Sequence, residues 1–202
     1  MKTTILTTTA VALIVCLNTA HADYMTYRGT ALTSTVKINA ENTLANHLSV
    51  HAGQMQVSLT DTLGHATDYI GYCVDLNHYA GSGAVDVATT YILRNGSLAA
   101  WLYVMYAPSV TTGTQAAALQ SAIWEVTNET MPTFDIASGY FSISDNATVA
   151  QAAQAMLNNL PVASALRLNV FNSAQCQDLL VPEPMTFTLI ALGGTLCLLR
   201  RR

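Results

Sequence analysis

Cys73 is the side chain on which covalent chemistry could be built. It lies in the segment Gly71–Leu76, which reads Gly-Tyr-Cys-Val-Asp-Leu. The thiolate form of cysteine is a strong nucleophile, and the groups positioned beside it decide what it does. Asp75 and His78 follow closely, as the partners of a cysteine protease could. Such a site depends on spatial geometry and not on neighbouring strand positions, so this grouping indicates a protease only weakly.

A second segment, Leu119–Glu125, reads Leu-Gln-Ser-Ala-Ile-Trp-Glu. With the first segment it resembles the thioester domain of bacterial surface adhesins, whose members carry an aromatic-Cys pair on a strand and a Gln-x-Ala-Ile-Trp motif on a later helix. The resemblance extends from Tyr69 to Asn128. It implies that the Cys73 sulfur and the Gln120 side chain condense, release ammonia and leave an internal thioester. Family members commonly have threonine before the glutamine, where this chain has leucine.

The resemblance also implies how the pair is surrounded. A thioester is an activated acyl group, which must be shielded from water and yet admit a nucleophile. We expect Tyr72 and Trp124 to cover the bond and Asp75 to lie beside it, since bulky aromatic side chains supply apolar area. A helix would hold Gln120 rigidly, with the reacting atoms within about 3.5 Å, and a lowered pKa of Cys73 would favour attack. The thioester would acylate an amine or a hydroxyl of a partner once, so we do not predict a turnover enzyme.

Two simpler interpretations remain open for the glutamine. Gln120 could be an ordinary residue of a helix surface, with Trp124 as part of the core. A nearby Thr-Gln-Ala-Ala stretch offers Gln115 as a competitor, because it keeps the threonine of the family motif. That stretch lacks the following Ile-Trp, and we therefore favour Gln120.

The N-terminus has the pattern of a secretory signal peptide. Lys2 supplies a positive charge, Ile5–Leu17 is mostly apolar, and Ala20–Ala22 has the small-x-small pattern that a signal peptidase accepts. The apolar run is too short and too weakly flanked for a stable membrane span. We predict a signal peptide over residues 1–22, cleaved after Ala22.

The C-terminus carries a different signal. Val181–Pro184 reads Val-Pro-Glu-Pro, Met185–Leu199 holds no charge, and three arginines close the sequence. As a helix the apolar run spans about 22 Å, against a hydrocarbon core of roughly 30 Å, and terminal arginines that reach the headgroups reduce the difference. Clustered positive charge favours the cytoplasmic side of the membrane. We predict a transmembrane anchor that leaves everything before Pro182 outside.

These features, in this order, resemble the PEP-CTERM sorting signal of Gram-negative bacteria. The residues that carry the resemblance are Pro182, Glu183, Pro184, Arg200, Arg201 and Arg202. The resemblance implies processing by an exosortase, a membrane-embedded protease, in cells that also make exopolysaccharide and biofilm matrix. It implies export through the inner membrane, transient anchoring by the C-terminal helix, and then a place at the cell surface or in the extracellular matrix. The signal specifies where the protein is delivered and does not specify an activity.

Export decides which cysteines remain available. Cys16 lies in the predicted signal peptide and Cys197 in the tail, which leaves Cys73 and Cys176 outside the membrane. In an oxidising compartment two such cysteines form a disulfide by default. A Cys73–Cys176 disulfide is therefore the alternative to a thioester.

The composition between the two signals excludes several functions. Residues 23–181 hold 11 acidic and four basic residues, a net charge of about −7. A surface this acidic repels nucleic acid and anionic lipid. The histidines have no ligand spacing with the cysteines, and the sequence has neither a Gly-rich phosphate loop nor a hydrolase nucleophile elbow. We therefore expect no nucleic-acid partner, no metal site and no cofactor.

Hydrophobic periodicity predicts an α+β domain. The first half alternates as strands do, the middle has the spacing of helices, and the end returns to a strand. The predicted strands are 24–39, 48–59, 67–76 and 166–170, and the predicted helices are 85–93, 97–106, 114–127 and 146–159. This order favours an antiparallel sheet or barrel with a helical insertion. We place the ectodomain at 23–175, a linker at 176–180 and the sorting segment at 181–202, with its apolar helix at 185–199.

The sequence as a whole predicts an exported surface or matrix protein that attaches covalently to a component carrying an amine or a hydroxyl. The competing class is a non-catalytic structural or carbohydrate-binding matrix protein with the same fold and no thioester. An ice-binding protein is a third alternative, because similar tails end some ice binders. The domain lacks the repeated, flat threonine ladders that such proteins usually present.

Overall fold

The structure is a computed structural model that describes residues 22–129 and 133–183. Residues 1–21 of the predicted signal peptide and the predicted apolar helix at 185–199 lie outside the described residues. So do the sorting residues Pro184, Arg200, Arg201 and Arg202. Within the described ranges, no helix is both long enough and apolar enough to cross a membrane.

The described residues form an α+β domain with one antiparallel sheet of seven strands and three α-helices. The strands are β1 Asp23–Ala40, β2 Ser49–Thr60, β3 Ala66–Cys73, β4 Gly83–Thr89, β5 Phe141–Ile143, β6 Asn169–Asn172 and β7 Leu179–Val181. The helices are α1 Gly96–Tyr106, α2 Gly113–Asn128 and α3 Ala147–Leu157, with short 3-10 turns at Thr90–Ile92 and Ala107–Ser109. The predicted α+β class is confirmed, and the helices lie in the middle of the chain as expected.

The sheet closes on itself. Its strand order is β2-β3-β7-β6-β4-β1-β5, and β1 pairs with β2 as well. Met25 of β1 lies opposite both Leu59 of β2 and Gly83 of β4. Six strands therefore form a ring of antiparallel pairings, and β5 extends the far end of β1. In this ring β3 has a strand partner on each side, β2 and β7.

Helix α2 is the central helix of the domain. Its first turn is closed by a capping box, in which the Thr112 hydroxyl accepts the N–H of Gln115 and the Gln115 side chain accepts the N–H of Thr112. Every residue from Ala116 to Val126 is buried, whereas the sequence indicated a single buried face. The helix packs against β1 and β2 and against the other two helices. It can therefore hold a polar side chain deep in the core.

Gly113, the first residue of α2, allows the helix to approach β1 closely. A Cβ atom at this position would lie 2.1 Å from the carbonyl oxygen of Thr33 in β1. No side chain tolerates such a contact, so the residue type at the helix start sets the distance between α2 and the sheet.

Two segments differ from their predictions. The predicted helix at 85–93 is wrong, because residues Gly83–Thr89 form β4 and only Thr90–Ile92 makes a 3-10 turn. Strand β4 pairs with β1 and β6, and its β-branched residues suit a pleated, half-buried surface. The segment predicted as a linker at 176–180 runs into Leu179–Val181, which is the buried strand β7 between β3 and β6.

Candidate functional site

Cys73 is the last residue of β3, at a point where the strand loses one of its two partners. The pairing with β2 ends at Gly71, opposite Met55. The pairing with β7 continues to Cys73, opposite Leu179. Cys73 is only 2% exposed, so its backbone polar groups need partners inside the protein.

The side-chain amide of Gln120 supplies those partners. The Cys73 N–H donates to Gln120 Oε1 at 2.9 Å, and Gln120 Nε2 donates to the Cys73 carbonyl oxygen at 2.7 Å. Gln120 is 1% exposed and lies in the buried stretch of α2. The fold thus brings together the two residues of the predicted reacting pair, which are 47 positions apart in the sequence.

A small cavity of about 70 Å³ lies beside the pair. Cys73, Gln120 and Trp124 line it together with His51, the Gln177 side chain and several apolar residues. Because one water molecule takes up about 30 Å³ in the liquid, the space suits a small reacting group and not a whole side chain. The arrangement combines a thiol, a carboxamide and an apolar wall in one confined space.

Gly53 shapes one wall of this cavity. Its φ is +144°, a backbone conformation that side chains rarely adopt, and a Cβ atom would lie 2.2 Å from the carbonyl oxygen of Leu32. The register of β1 against β2 shifts at this point, between Thr30 and Thr33. A glycine is therefore required where β2 bends past the site.

The Cys73 thiol is protonated at neutral pH. Its S–H donates to the carbonyl oxygen of Asp75 at 2.8 Å. Burial raises the pKa of Cys73 to about 12; the Trp124 indole and the Asp75 backbone oppose this rise, and the charges of Asp75 and Asp178 add to it. Desolvation therefore outweighs the groups that favour the thiolate, and the lowered Cys73 pKa that would favour attack is not found here.

The two aromatic residues expected to cover the pair have different positions. Trp124 lines the cavity and packs on Phe141, with 6.0 Å between ring centroids. Its indole N–H is buried and makes no hydrogen bond to the described residues. Tyr72 does not line the cavity; successive side chains of a strand point to opposite faces, and the Tyr72 ring meets Tyr103 of α1 edge-on at 5.8 Å. Of the two, only Trp124 faces the reacting pair.

Asp75 and His78 do not form a protease-like site with Cys73. The Asp75 carboxylate accepts the N–H of Asn77 at 2.7 Å and lies 2.5 Å from His78 Nδ1. The thiol meets the backbone carbonyl of Asp75 and not this carboxylate. Asp75 is thus beside the site, as expected, and its side chain stabilises the turn that follows β3.

The competing residues lie elsewhere. Gln115 is at the exposed start of α2, where its Oε1 accepts the backbone N–H groups of Thr111 and Thr112. Cys176 is buried, and both it and Cys73 are free thiols. The described chain therefore contains no Cys73–Cys176 disulfide.

Two polar residues near the site are not singled out by the sequence analysis. His51 lines the cavity, but in the sequence it is only one position of an alternating strand, without the spacing of a metal ligand. Glu125 follows Trp124 on α2 and is fully buried, with its Oε1 accepting the N–H of Asp135 at 2.8 Å. Its sequence context gives no signal of that burial.

The sorting residues within the described chain come directly after β7. Pro182 and Glu183 line a surface cleft of about 320 Å³ together with Tyr69 and Tyr103. The start of the motif therefore lies against the folded domain.

No protein-family model, no curated protein and no solved structure matches the sequence. Within residues 22–129 and 133–183, no group of three or more His, Cys, Asp and Glu side chains could hold a metal ion. The chemistry available here is that of a thiol and a carboxamide that line one cavity, with the carboxamide held by the Cys73 backbone.

Proposed function

We propose that this is an exported surface- or matrix-associated protein in which Cys73 and Gln120 form an internal thioester. The bond would acylate an amine or a hydroxyl of a cell-surface or matrix component and so attach the protein covalently. The observation that supports this best is the contact of the Gln120 amide with Cys73 at 2.7 and 2.9 Å, beside a cavity that both residues share with Trp124.

The reaction balances without a cofactor. The Cys73 sulfur attacks the side-chain carbonyl carbon of Gln120, the C–N bond of the amide breaks, and ammonia leaves with the thiol proton. A primary amine or a hydroxyl then attacks the thioester carbonyl, which gives an amide or an ester on residue 120 and returns the thiol of Cys73. Each molecule reacts once, so the protein is not a turnover enzyme.

Burial supports both steps. Cys73 is 2% and Gln120 1% exposed, and exclusion of water protects a reactive acyl group from hydrolysis. The same burial keeps the thiol protonated, since it raises the pKa of Cys73 to about 12. The thiol proton is therefore available for transfer to the leaving nitrogen during condensation.

The proposed cellular location rests on the sequence patterns at the two ends of the chain. We infer export through the inner membrane, an apolar tail that contacts the membrane before processing, and an exosortase as the processing partner. The destination is the surface or extracellular matrix of a Gram-negative bacterium. The supporting observation is the order of Pro-Glu-Pro, apolar run and arginine cluster, which begins directly after strand β7.

Intact-mass measurement tests the bond. The full chain is produced in a Gram-negative host and the exported protein is purified. We expect a mass lower by one ammonia than that of the processed sequence, and a gain of one methylamine after incubation with that amine. Cys73→Ala and Gln120→Ala should both abolish the deficit and the adduct.

The chain offers a matched control in Gln115→Ala, which removes the glutamine at the exposed start of the same helix. This variant should keep the deficit and the adduct. A wild-type mass equal to the unmodified sequence, with no shift on adding methylamine, would rule out the thioester. Loss of the adduct in Cys73→Ala alone would show that the acyl group does not come from Gln120.

A second candidate is a non-catalytic matrix or carbohydrate-binding protein with this fold. One observation favours it: both polar groups of the Gln120 amide are already paired with the Cys73 backbone, which is a sufficient structural role. In that case the purified protein has a free Cys73 thiol and an unmodified mass.

A further inference from the structure

We infer that His51 is the residue that accepts the proton of the nucleophile attacking the thioester, and that it extends the reaction from amines to hydroxyl groups. The inference rests on the proposed function, since it needs the Cys73–Gln120 bond. It adds a catalytic residue and widens the class of acceptor that the site can use.

The composition of the cavity wall points to His51. Among the described residues that line the cavity, Cys73 and His51 are the two with an ionisable side chain. The remainder are apolar residues and glycine, apart from the amides of Gln120 and Gln177. Within the described part of the chain no carboxylate lines the space, so His51 is the lining residue that can act as a base.

His51 is also free and accessible. Cys73 and Gln120 are almost completely buried, whereas His51 is exposed on β2. Because His51 both lines the cavity and is exposed, we place it at the opening through which an acceptor would enter. Within the described residues the His51 side chain makes no hydrogen bond and no ion pair, in contrast to those of His65 and His78, which each contact an aspartate.

The proposed step balances. An acceptor R–OH attacks the carbonyl carbon of residue 120 while its proton passes to an imidazole nitrogen of His51. The C–S bond breaks, the sulfur of Cys73 leaves, and the imidazolium returns the proton to it. The products are an ester on residue 120, the Cys73 thiol and neutral His51.

The return of the proton from His51 to the sulfur matters because the sulfur is buried. A thiolate is poorly stabilised at this buried position, as the raised pKa of Cys73 indicates. A nearby imidazolium that protonates the departing sulfur removes that difficulty. One side chain at the cavity mouth thus serves both the attacking and the leaving group.

Hydroxyls depend on such a base more than amines do. An alcohol is a weak nucleophile until its proton is being removed, whereas an unprotonated amine attacks directly and loses its proton afterwards. Loss of His51 should therefore separate the two acceptor classes.

The test compares the exported full-length wild type with His51→Gln at pH 8, using methylamine and glycerol as probes and intact mass as the readout. His65→Gln is the matched control, since His65 is an exposed histidine in the β2–β3 turn. We expect His51→Gln to keep the ammonia deficit and the wild-type melting temperature. Its rate of glycerol ester formation should fall by about 10²-fold or more, the usual contribution of a general base, and methylamide formation by less than about tenfold.

Other outcomes overturn the inference. Unchanged glycerol reactivity in His51→Gln removes its catalytic role, and an equal loss for both probes indicates a structural role only. Failure of the proposed function is recognised separately, because the wild type itself then shows no ammonia deficit, which overturns both proposals.

Discussion

The Gln120 amide occupies the place that a strand would take beside Cys73. Its two hydrogen bonds, at 2.9 and 2.7 Å, repeat the pattern with which one residue of a sheet pairs with another. In the proposed thioester a sulfur would replace the amide nitrogen, so the hydrogen bond from Nε2 to the Cys73 carbonyl oxygen would be lost. The fold thus aligns the two residues by an interaction that the reaction then partly removes.

A buried carboxyl group one residue beyond Trp124 should make stability depend on pH. Glu125 is fully buried, and its Oε2 has no hydrogen-bond partner among the described residues. Burial raises the pKa of Glu125 from 4.5 to about 8; the N–H of Asp135 opposes the rise, and the charges of Glu129 and Asp135 add to it. The folded state therefore holds a proton that the unfolded state has lost between these two pH values, and stability should fall as pH rises from about 4.5 to 8.

Glu125→Gln tests this dependence, because the amide imitates the protonated acid and does not titrate. We expect a higher melting temperature than the wild type at pH 8 and a flatter profile between pH 5 and 8, measured by thermal unfolding. Glu41→Gln, which removes an exposed carboxylate, should follow the wild-type profile. The same slope in Glu125→Gln as in the wild type would contradict the assignment.

At the scale of residues the sequence predicts that Cys73 and Gln120 belong together, which the fold also shows, but it does not predict which side chains surround them. The Ile-Trp that follows Gln120 distinguishes it from Gln115, and the fold puts only Gln120 at Cys73. The side to which Tyr72 points depends on the register of β3, and the proximity of His51 depends on how β2 passes the end of that strand. Neither follows from residue type or local spacing.

The start of α2 is the element on which the alignment of the pair depends. Gly113 packs on the backbone of β1, and a Cβ atom there would lie 2.1 Å from the Thr33 oxygen. We expect Gly113→Ala to push the helix away from the sheet at a cost of about 1–3 kcal/mol, the usual effect of overpacking. Because Gln120 lies two turns further along, thioester formation should fall as well.

Denaturant unfolding gives the stability of Gly113→Ala and intact mass gives the fraction with the ammonia deficit. Gly81→Ala is the matched control, since its added Cβ would meet the Cys176 Cβ at an ordinary 3.4 Å. A Gly113→Ala protein with wild-type stability and a full deficit would show that the helix position is not set at this contact.

Elements with strong local signals are predictable from the sequence, and those that depend on distant partners are not. The helices Gly96–Tyr106 and Gly113–Asn128 agree closely with the predicted 97–106 and 114–127, because their patterns and end signals are local. The sequence predicts a helix where strand β4 forms, and it does not indicate the three-residue strands β5 and β7. Such short strands exist through pairing with residues far along the chain.

For the whole molecule, strand β7 sets a limit on processing of the tail. Leu179, Leu180 and Val181 are 0% exposed and lie in the middle of the sheet. A protease cannot cut there without unfolding the domain, so we expect the mature protein to begin at Asp23 and to end after Val181. Intact mass of the protein released by cells that contain an exosortase measures both ends.

Replacing Arg200, Arg201 and Arg202 together with serine is the comparison for that experiment. This variant should keep its tail and stay in the membrane fraction, while its folded domain is unchanged. A released, folded wild-type product that ends before Leu179 would contradict the limit. Release of the arginine-free variant with a normal C-terminus would argue against the sorting signal.

The position of β7 also has a mechanical consequence. Leu179, at its start, lies opposite Cys73, and the chain leaves the sheet after Val181 at its other end. If a partner is held through residue 120 and the protein is held at its other end after Val181, the pull on β7 acts along the strand and across its hydrogen bonds, which are perpendicular to it. The bonds of β7 to β3 and to β6 then carry the load together, in shear, and do not open one by one as those of a peeled edge strand would. A domain loaded in this way would resist unfolding when liquid flow pulls on the attached protein.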